Sequence, residues 1–304
     1  MSKITPGKRN GLQNIANKNG FFIIAALDHR NSLKKLIDPM QPEKVPSSIM
    51  QTIKTDFTKT LAQNVSAILL DPEYGMNASI KANRDGAGLL MSLEESSFIE
   101  KNHRRYTELL SDWDVKRYKE MNVDAVKLLV YYRPEDESSE RQLKLTHRVA
   151  EMCKKHDIAF VCEPFVYALK DEKDFTSNFP TFVVQTAKDF SKLDIDVLKV
   201  QFPGNSKVQN TEDMKDSCED LDAVCRMPWV LLSGGEKYDE LLKQVHIANK
   251  FNVSGVMVGR ALWQEAFEKK SLQEIVHFVK TESVARLNKL SVAVQSGMPW
   301  FERV

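Results

Sequence analysis

Short runs of consecutive apolar residues, each followed by an amphipathic stretch, recur along the whole chain. Eight runs stand out, at residues 22–27, 67–70, 88–91, 125–130, 159–162, 197–201, 229–232 and 255–258. They are near-continuous rather than alternating, the pattern of parallel strands covered on both faces. Between them the apolar spacing becomes helical, as in Ile49, Ile53, Phe57 and Leu61, or Tyr238, Leu241, Leu242, Val245 and Ala248. Residues 141–156 read as a helix with a polar face. Eight strand–helix units predict an α/β protein of the (β/α)₈ TIM barrel type. The rival, an open doubly wound sheet, would carry a glycine-rich phosphate turn after its first strand. Here Asp28-His29-Arg30-Asn31 follows instead, without a glycine.

No linker or low-complexity tract divides the 304 residues, a length that suits one barrel of about 250 residues with extensions. We therefore expect a single domain over 1–304, with a polar leader at 1–19 and a C-terminal helical extension at 271–304. The leader is either disordered or a plug for the barrel bottom. In the extension, Ile275, Val276, Val279, Val284, Leu287 and Leu290 repeat at helical spacing and are expected to close the barrel rather than meet a partner subunit, although a homo-oligomer is compatible with them.

The formal net charge is +1, so no field of one sign points to nucleic acid or an anionic membrane. No apolar run approaches the ~20 residues that span a bilayer, and the lysine-rich start lacks the apolar core of a signal peptide. Cys153, Cys162, Cys218 and Cys225 form no Cys-x-x-Cys pair. Reduced thiols and a cytoplasmic setting are expected.

Charges inside the apolar runs change the picture most. Lys199 interrupts the sixth run and Lys127 the fourth, Glu163 closes the fifth, and Asp28 follows the first. An ammonium in an apolar strand is costly unless it is paired or neutralised. Strand alternation places Lys127 with Ala125 and Leu129, and Lys199 with Val197 and Gln201, so both face the barrel mouth rather than the helix layer. Two neutralising pairs would be one reason for such a tetrad. Amine catalysis is the other: an unprotonated lysine attacks a ketone, a second ammonium favours that neutral form, and a carboxylate carries the protons. In that reading Lys199 is the nucleophile, Lys127 the tuner, Glu163 the proton carrier and Asp28 an orienting acid.

The last two runs end in Ser233-Gly234-Gly235 and Gly259-Arg260. Barrels often bind phosphate with the loops after strands 7 and 8. Glycines let amides approach the oxygens, a serine donates, and an arginine forks onto two of them. Ser233, Gly234, Gly259 and Arg260 are thus expected to hold a phosphate. The six histidines show no metal-ligand spacing, so no metal is expected, and His29 reads as a hydrogen-bonding residue; no other cofactor is expected either.

Taken in order, Ala25-Ala-Leu-Asp-His-Arg30, Ser66-Ala-Ile-Leu-Leu-Asp-Pro-Glu-Tyr-Gly75, Asp124-Ala-Val-Lys-Leu-Leu129, Asp196-Val-Leu-Lys-Val200, Leu232-Ser-Gly-Gly235 and Val258-Gly-Arg-Ala-Leu-Trp263 resemble the class I tagatose-1,6-bisphosphate aldolase family and its sulfofructose-phosphate (sulfosugar) relatives. The resemblance implies a barrel that cleaves a phosphorylated ketose through a lysine Schiff base without a metal. It puts the Schiff-base lysine on Lys199, the second lysine on Lys127, the acid/base glutamate on Glu163 and the first-strand aspartate on Asp28. The family usually has Gln-Arg after that aspartate; here it is His29-Arg30, a pair assigned to the far end of the sugar. Asp71-Pro-Glu-Tyr-Gly75 looks more like the tagatose branch, and Tyr132-Arg133-Pro-Glu-Asp136 and Cys162-Glu-Pro164 more like the sulfosugar branch.

The expected reaction is reversible cleavage of a ketose 1-phosphate or 1,6-bisphosphate, with tagatose 1,6-bisphosphate as the first expectation, to dihydroxyacetone phosphate and a three-carbon aldehyde such as glyceraldehyde 3-phosphate. A 6-deoxy-6-sulfofructose 1-phosphate substrate, which would release sulfolactaldehyde, is the nearest alternative. A phosphosugar isomerase or epimerase and a non-catalytic sugar-phosphate sensor are more distant ones.

Overall fold

The computed structural model describes residues 4–82 and 84–304; residues 1–3, part of the leader, and residue 83 lie outside the described residues. Eight parallel strands close a barrel: Phe22–Ala26, Ala67–Leu70, Gly88–Ser92, Ala125–Tyr132, Ala159–Val166, Val197–Val200, Trp229–Leu232 and Gly255–Val258. Each of the eight apolar runs became a strand, and the last pairs with the first in register, Phe22 opposite Gly255. They are numbered 1 to 8 below in that order.

Strand alternation sorts the side chains into two cores. One face of each strand, with Ile23, Leu27, Ile68, Leu128, Phe160, Leu198, Leu231 and Val258, packs against the helices. The other fills the interior with Phe22, Ile24, Ala26, Leu69, Leu90, Ala125, Val161, Val197, Val230 and Met257. Two residues beyond these interior positions come Asp28, Lys127, Glu163 and Lys199. The charged tetrad is therefore the top layer of the barrel interior, reached by the same period of two.

The leader forms the helix Pro6–Ile15, which buries Leu12 and Ile15 in the interior core beside Trp300. It plugs the barrel at the end opposite the tetrad. Asp157 anchors it, accepting from the amides of Gly7 and Lys8 at 2.9 and 3.1 Å. The helices of the C-terminal extension pack outside, while Trp300 near its end joins the interior core. Leu272–Phe278, a π turn at Val279–Ser283 and Val284–Ala293 bury Val279, Leu287 and Leu290 against the helices Ser47–Leu61 and Tyr238–Ala248.

Three local expectations were off by small amounts. The buried stripe of Ser47–Leu61 keeps Ile53, Phe57 and Leu61 but begins at Met50 rather than Ile49, which is exposed in the first turn. Strand 5 continues through Glu163 and Pro164 to Val166 instead of ending at Glu163. Beyond Cys162 it pairs only with strand 4, so the missing N–H of Pro164 leaves no ladder bond unmade on its other side. There the side chain of Gln201 stands in for a strand, accepting from the Val166 amide at 2.7 Å and donating to its carbonyl at 3.3 Å. Strand 6, in turn, ends at Val200, one residue before that glutamine.

A hairpin, Ile99–Lys101 and Arg104–Tyr106, follows strand 3 and was not foreseen. Arg104 ties it to Asp136 at 2.9 Å. All four cysteines are buried and free, and burial pushes the Cys218 thiol up to about 12. Among the described residues, no helix is long and apolar enough to cross a membrane.

Candidate active site

The open end of the barrel holds a cavity of about 310 Å³ lined by Asp28, His29, Arg30, Glu94, Lys127, Glu163, Lys199, Ser233, Gly234, Gly259 and Arg260, among others. All ten residues singled out in the sequence thus line one cavity. The eleventh, Glu94, belongs to the turn after strand 3 and was missed.

Glu163 Oε2 lies 2.9 Å from Nζ of Lys199 and 2.9 Å from Nζ of Lys127. Because both nitrogens share one oxygen, they can stand no further apart than twice that distance. Lys127 also reaches Oδ2 of Asp28 at 2.9 Å and Oε1 of Glu94 at 2.6 Å. Its side chain is 2% exposed and faces three carboxylates, whereas among the described residues Lys199 faces Glu163 alone. The two lysines, similar in sequence, are therefore placed quite differently.

Burial works against the Lys127 ammonium, but Asp28, Glu163 and Glu94 outweigh it and hold its pKa well above the usual lysine value. Lys127 is a permanent cation. Burial likewise pushes the Asp28 and Glu163 carboxyls up, and the two lysines more than reverse it, leaving both below the usual carboxylate range. At pH 7 the cluster holds ionised acids around a fixed charge.

His29 is different. Burial lowers its pKa to about 4, Asp28 opposing and Arg260, Lys54 and Lys199 assisting. The imidazole is neutral at pH 7, so its 3.6 Å approach to Asp28 is not an ion pair. Its ring meets Trp263 edge to face at 5.1 Å. It also lies on the phosphate loop: a methyl group on Gly259 would come within 2.6 Å of His29 Cε1. Arg30 diverges from it. The residue is 4% exposed and its guanidinium donates from Nη2 to the Glu94 carbonyl, while Nε and Nη1 have no partner among the described residues.

In the loop after strand 7, Gly234 and Gly235 adopt φ of 57° and 88°, the left-handed region that favours glycine. They bring Ser233 and Arg260 together, with Arg260 Nη2 at 3.4 Å from the Gly234 carbonyl. A side chain on Gly235 would collide with that guanidinium. Ser233, its glycines and Arg260 form a donor-rich cup at the ends of strands 7 and 8, strand 7 being the neighbour of the Lys199 strand. No group of three or more His, Cys, Asp or Glu side chains among the described residues is arranged to hold a metal ion.

The family model described as DeoC/LacD family aldolase matches residues 22–265. The chain is 32% identical to the tagatose 1,6-diphosphate aldolase of Listeria monocytogenes, covering 100% of this chain and 96% of the relative. It is 31% identical to that of Lactococcus lactis subsp. lactis, covering 99% of each. An archaeal fructose 1,6-bisphosphate aldolase superposes with a TM-score of 0.65 at 16% identity, over 94% of this chain and 98% of the other. The fructose-bisphosphate aldolase of Plasmodium falciparum does so at 0.74 and 14%, over 98% and 96%. At such identities these structures speak for the fold alone. The sequence matches carry more: with the family model running from strand 1 past strand 8 and full-length relatives at 32% identity, this chain belongs to the DeoC/LacD family of aldolases.

Proposed function

We propose that this aldolase cleaves tagatose 1,6-bisphosphate through a Schiff base on Lys199. The observation that carries the reading is the single carboxylate oxygen shared by Lys127 and Lys199, in a cavity that Ser233, Gly234, Gly259 and Arg260 also line. Once Glu163 takes a proton from Lys199, the fixed charge of Lys127 disfavours its return, and the free amine attacks the C2 carbonyl. Glu163 then supplies the protons that turn the carbinolamine into an iminium. The iminium draws electrons from the C3–C4 bond as Glu163, a carboxylate again, takes the proton of the C4 hydroxyl. An aldehyde leaves, and the enamine is protonated at C3 and hydrolysed to dihydroxyacetone phosphate. Asp28 orients Lys127, and the cup of Ser233, Gly234, Gly259 and Arg260 takes the 1-phosphate. Arg30 serves the far end of the sugar, and His29, neutral and packed on Gly259, supports the phosphate side.

The tagatose substrate is favoured by the names of the full-length relatives. Of the two stretches that looked closer to sulfosugar aldolases, Tyr132-Arg133 turns away, the Tyr132 hydroxyl donating to Asp189 at 2.9 Å and Arg133 pairing with Glu172 outside the cavity, whereas Cys162-Glu-Pro164 brings Glu163 into it. A panel of tagatose, fructose and sulfofructose phosphates, read by triose phosphate release, is expected to give the highest kcat/KM with tagatose 1,6-bisphosphate. Preference for the sulfofructose phosphate would overturn the substrate assignment. Borohydride reduction with dihydroxyacetone phosphate is expected to add one triose unit at Lys199; its absence would favour an isomerase or a sensor.

Two substitutions separate the roles. Glu163→Gln keeps the size of the side chain but removes the proton carrier, and is expected to lower kcat by roughly 10²- to 10⁴-fold. Arg260→Ala removes a charge-assisted contact and is expected to raise KM for the phosphorylated ketose roughly tenfold to a hundredfold, with a smaller change in kcat. Steady-state kinetics distinguishes the two patterns, and the reverse pattern in either variant would exchange their roles.

A further inference from the structure

Lys54 sits on the inner face of the helix Ser47–Leu61, 1% exposed and outside the cavity that holds the other two lysines. Its three ammonium protons meet three acceptors: the Leu27 carbonyl, the His29 carbonyl at 2.9 Å and Oδ2 of Asp71. Asp71, wholly buried at the end of strand 2, accepts in turn from the Tyr74 amide at 2.8 Å. The ammonium thus ties the turn after strand 1 to the turn after strand 2. Asp28 lies between the two held carbonyls, and its carboxylate is one of the three on Lys127. His29 follows, with its ring on Gly259 and Trp263.

A buried ion pair is a weak explanation of stability, since desolvating two charges costs about as much as their attraction returns. The walls around Lys54 are largely apolar, with Leu27, Leu33, Ile53, Phe57 and Trp263, and would suit a methionine. An apolar side chain would not hold the carbonyls that flank Asp28. We propose that Lys54 and Asp71 are a positioning pair, which fixes the backbone on either side of Asp28 and so aims its carboxylate at Lys127 and the His29 ring at the phosphate loop. The proposal rests on the Schiff-base reading above. Neither residue touches substrate. They act through Asp28 and His29, where a displacement of about 1 Å costs on the order of 10²-fold in rate.

The test uses Lys54→Met and the milder Asp71→Asn in the full-length enzyme, with active sites counted by borohydride trapping with dihydroxyacetone phosphate. Per trapped site, Lys54→Met is expected to lower kcat roughly 30- to 100-fold with KM changed less than about threefold. Asp71→Asn, which keeps a hydrogen-bond acceptor for the Tyr74 amide, is expected to lose about a tenth as much. By NMR, the His29 imidazole should titrate at higher pH in Lys54→Met, because a neighbouring cation is gone. A folded Lys54→Met with kcat within about threefold of the parent overturns the proposal. So does loss of the folded barrel in both variants, which would assign the pair to stability. An unsubstituted enzyme that traps no triose would instead remove the Schiff-base reading, and this proposal with it.

Discussion

Lys199→Ala is expected to lower cleavage on the order of 10⁴-fold or more and to abolish the borohydride adduct, while leaving the fold in place. The rate loss follows from the chemistry. Without an amine there is no iminium, and a plain ketone offers no comparable sink for the electrons of the C3–C4 bond. The intact fold follows from the geometry. Lys199 has one acidic partner, Glu163, and that carboxylate keeps Lys127 at 2.9 Å after the substitution. No charge is left buried and unpaired, and the alanine faces the cavity rather than the packed helix layer. Coupled triose phosphate release, adduct mass and thermal unfolding together check the prediction. Residual cleavage within tenfold of the parent would mean that another amine forms the imine. An unchanged rate with no adduct would remove covalent catalysis altogether.

Much of this site was readable from the chain because strand alternation is a strong rule. A polar residue two places beyond a buried interior position has nowhere to point but the barrel mouth, and Asp28, Lys127, Glu163 and Lys199 all occupy such places. Glu94 follows the same logic after strand 3, but it stands in Leu93-Glu94-Glu95-Ser96, which reads as an ordinary polar turn. Only the tertiary approach of Lys127 distinguishes it. Lys54 carried a fainter signal, a single cation beside Ile53 on the buried stripe of Met50, Phe57 and Leu61. Long lysines at such positions usually reach back to solvent, so the sequence alone favours a snorkelling side chain. Its inward turn depends on Asp71 and two carbonyls contributed by other segments. The extension of strand 5 past Pro164 was hidden for a related reason, since a proline in a strand is tolerated only where a neighbour is missing, and that depends on the short strand 6.

Lys127→Met is expected to be the most damaging substitution for stability, and its pH dependence is the informative part. In the parent, Lys127 neutralises Asp28, Glu94 and Glu163, whose side chains are 11%, 8% and 8% exposed. Removing the ammonium leaves Lys199 alone against them, and breaking such a buried network costs roughly 3–5 kcal/mol at neutral pH. Loss of a preorganised charge beside the imine is expected to lower kcat by about 10²- to 10³-fold. The adduct should also require a higher pH to form, since the fixed charge that favours a neutral Lys199 is gone. The sign of the stability effect with pH can be worked out. In the parent, Asp28 and Glu163 have folded pKa values below their unfolded value of about 4. Their contribution is therefore present above pH ~4 and is lost as pH falls through the folded values. In the variant, burial and mutual repulsion remain without the balancing cation, so the folded pKa values rise above the unfolded ones. Stability then falls as pH climbs from about 4 toward 7. The gap between parent and variant should be widest near pH 7.5 and should narrow by at least 1 kcal/mol near pH 5. Urea midpoints at the two pH values measure it, and a gap that does not change with pH would mean that the three carboxylates do not depend on Lys127 for their charge.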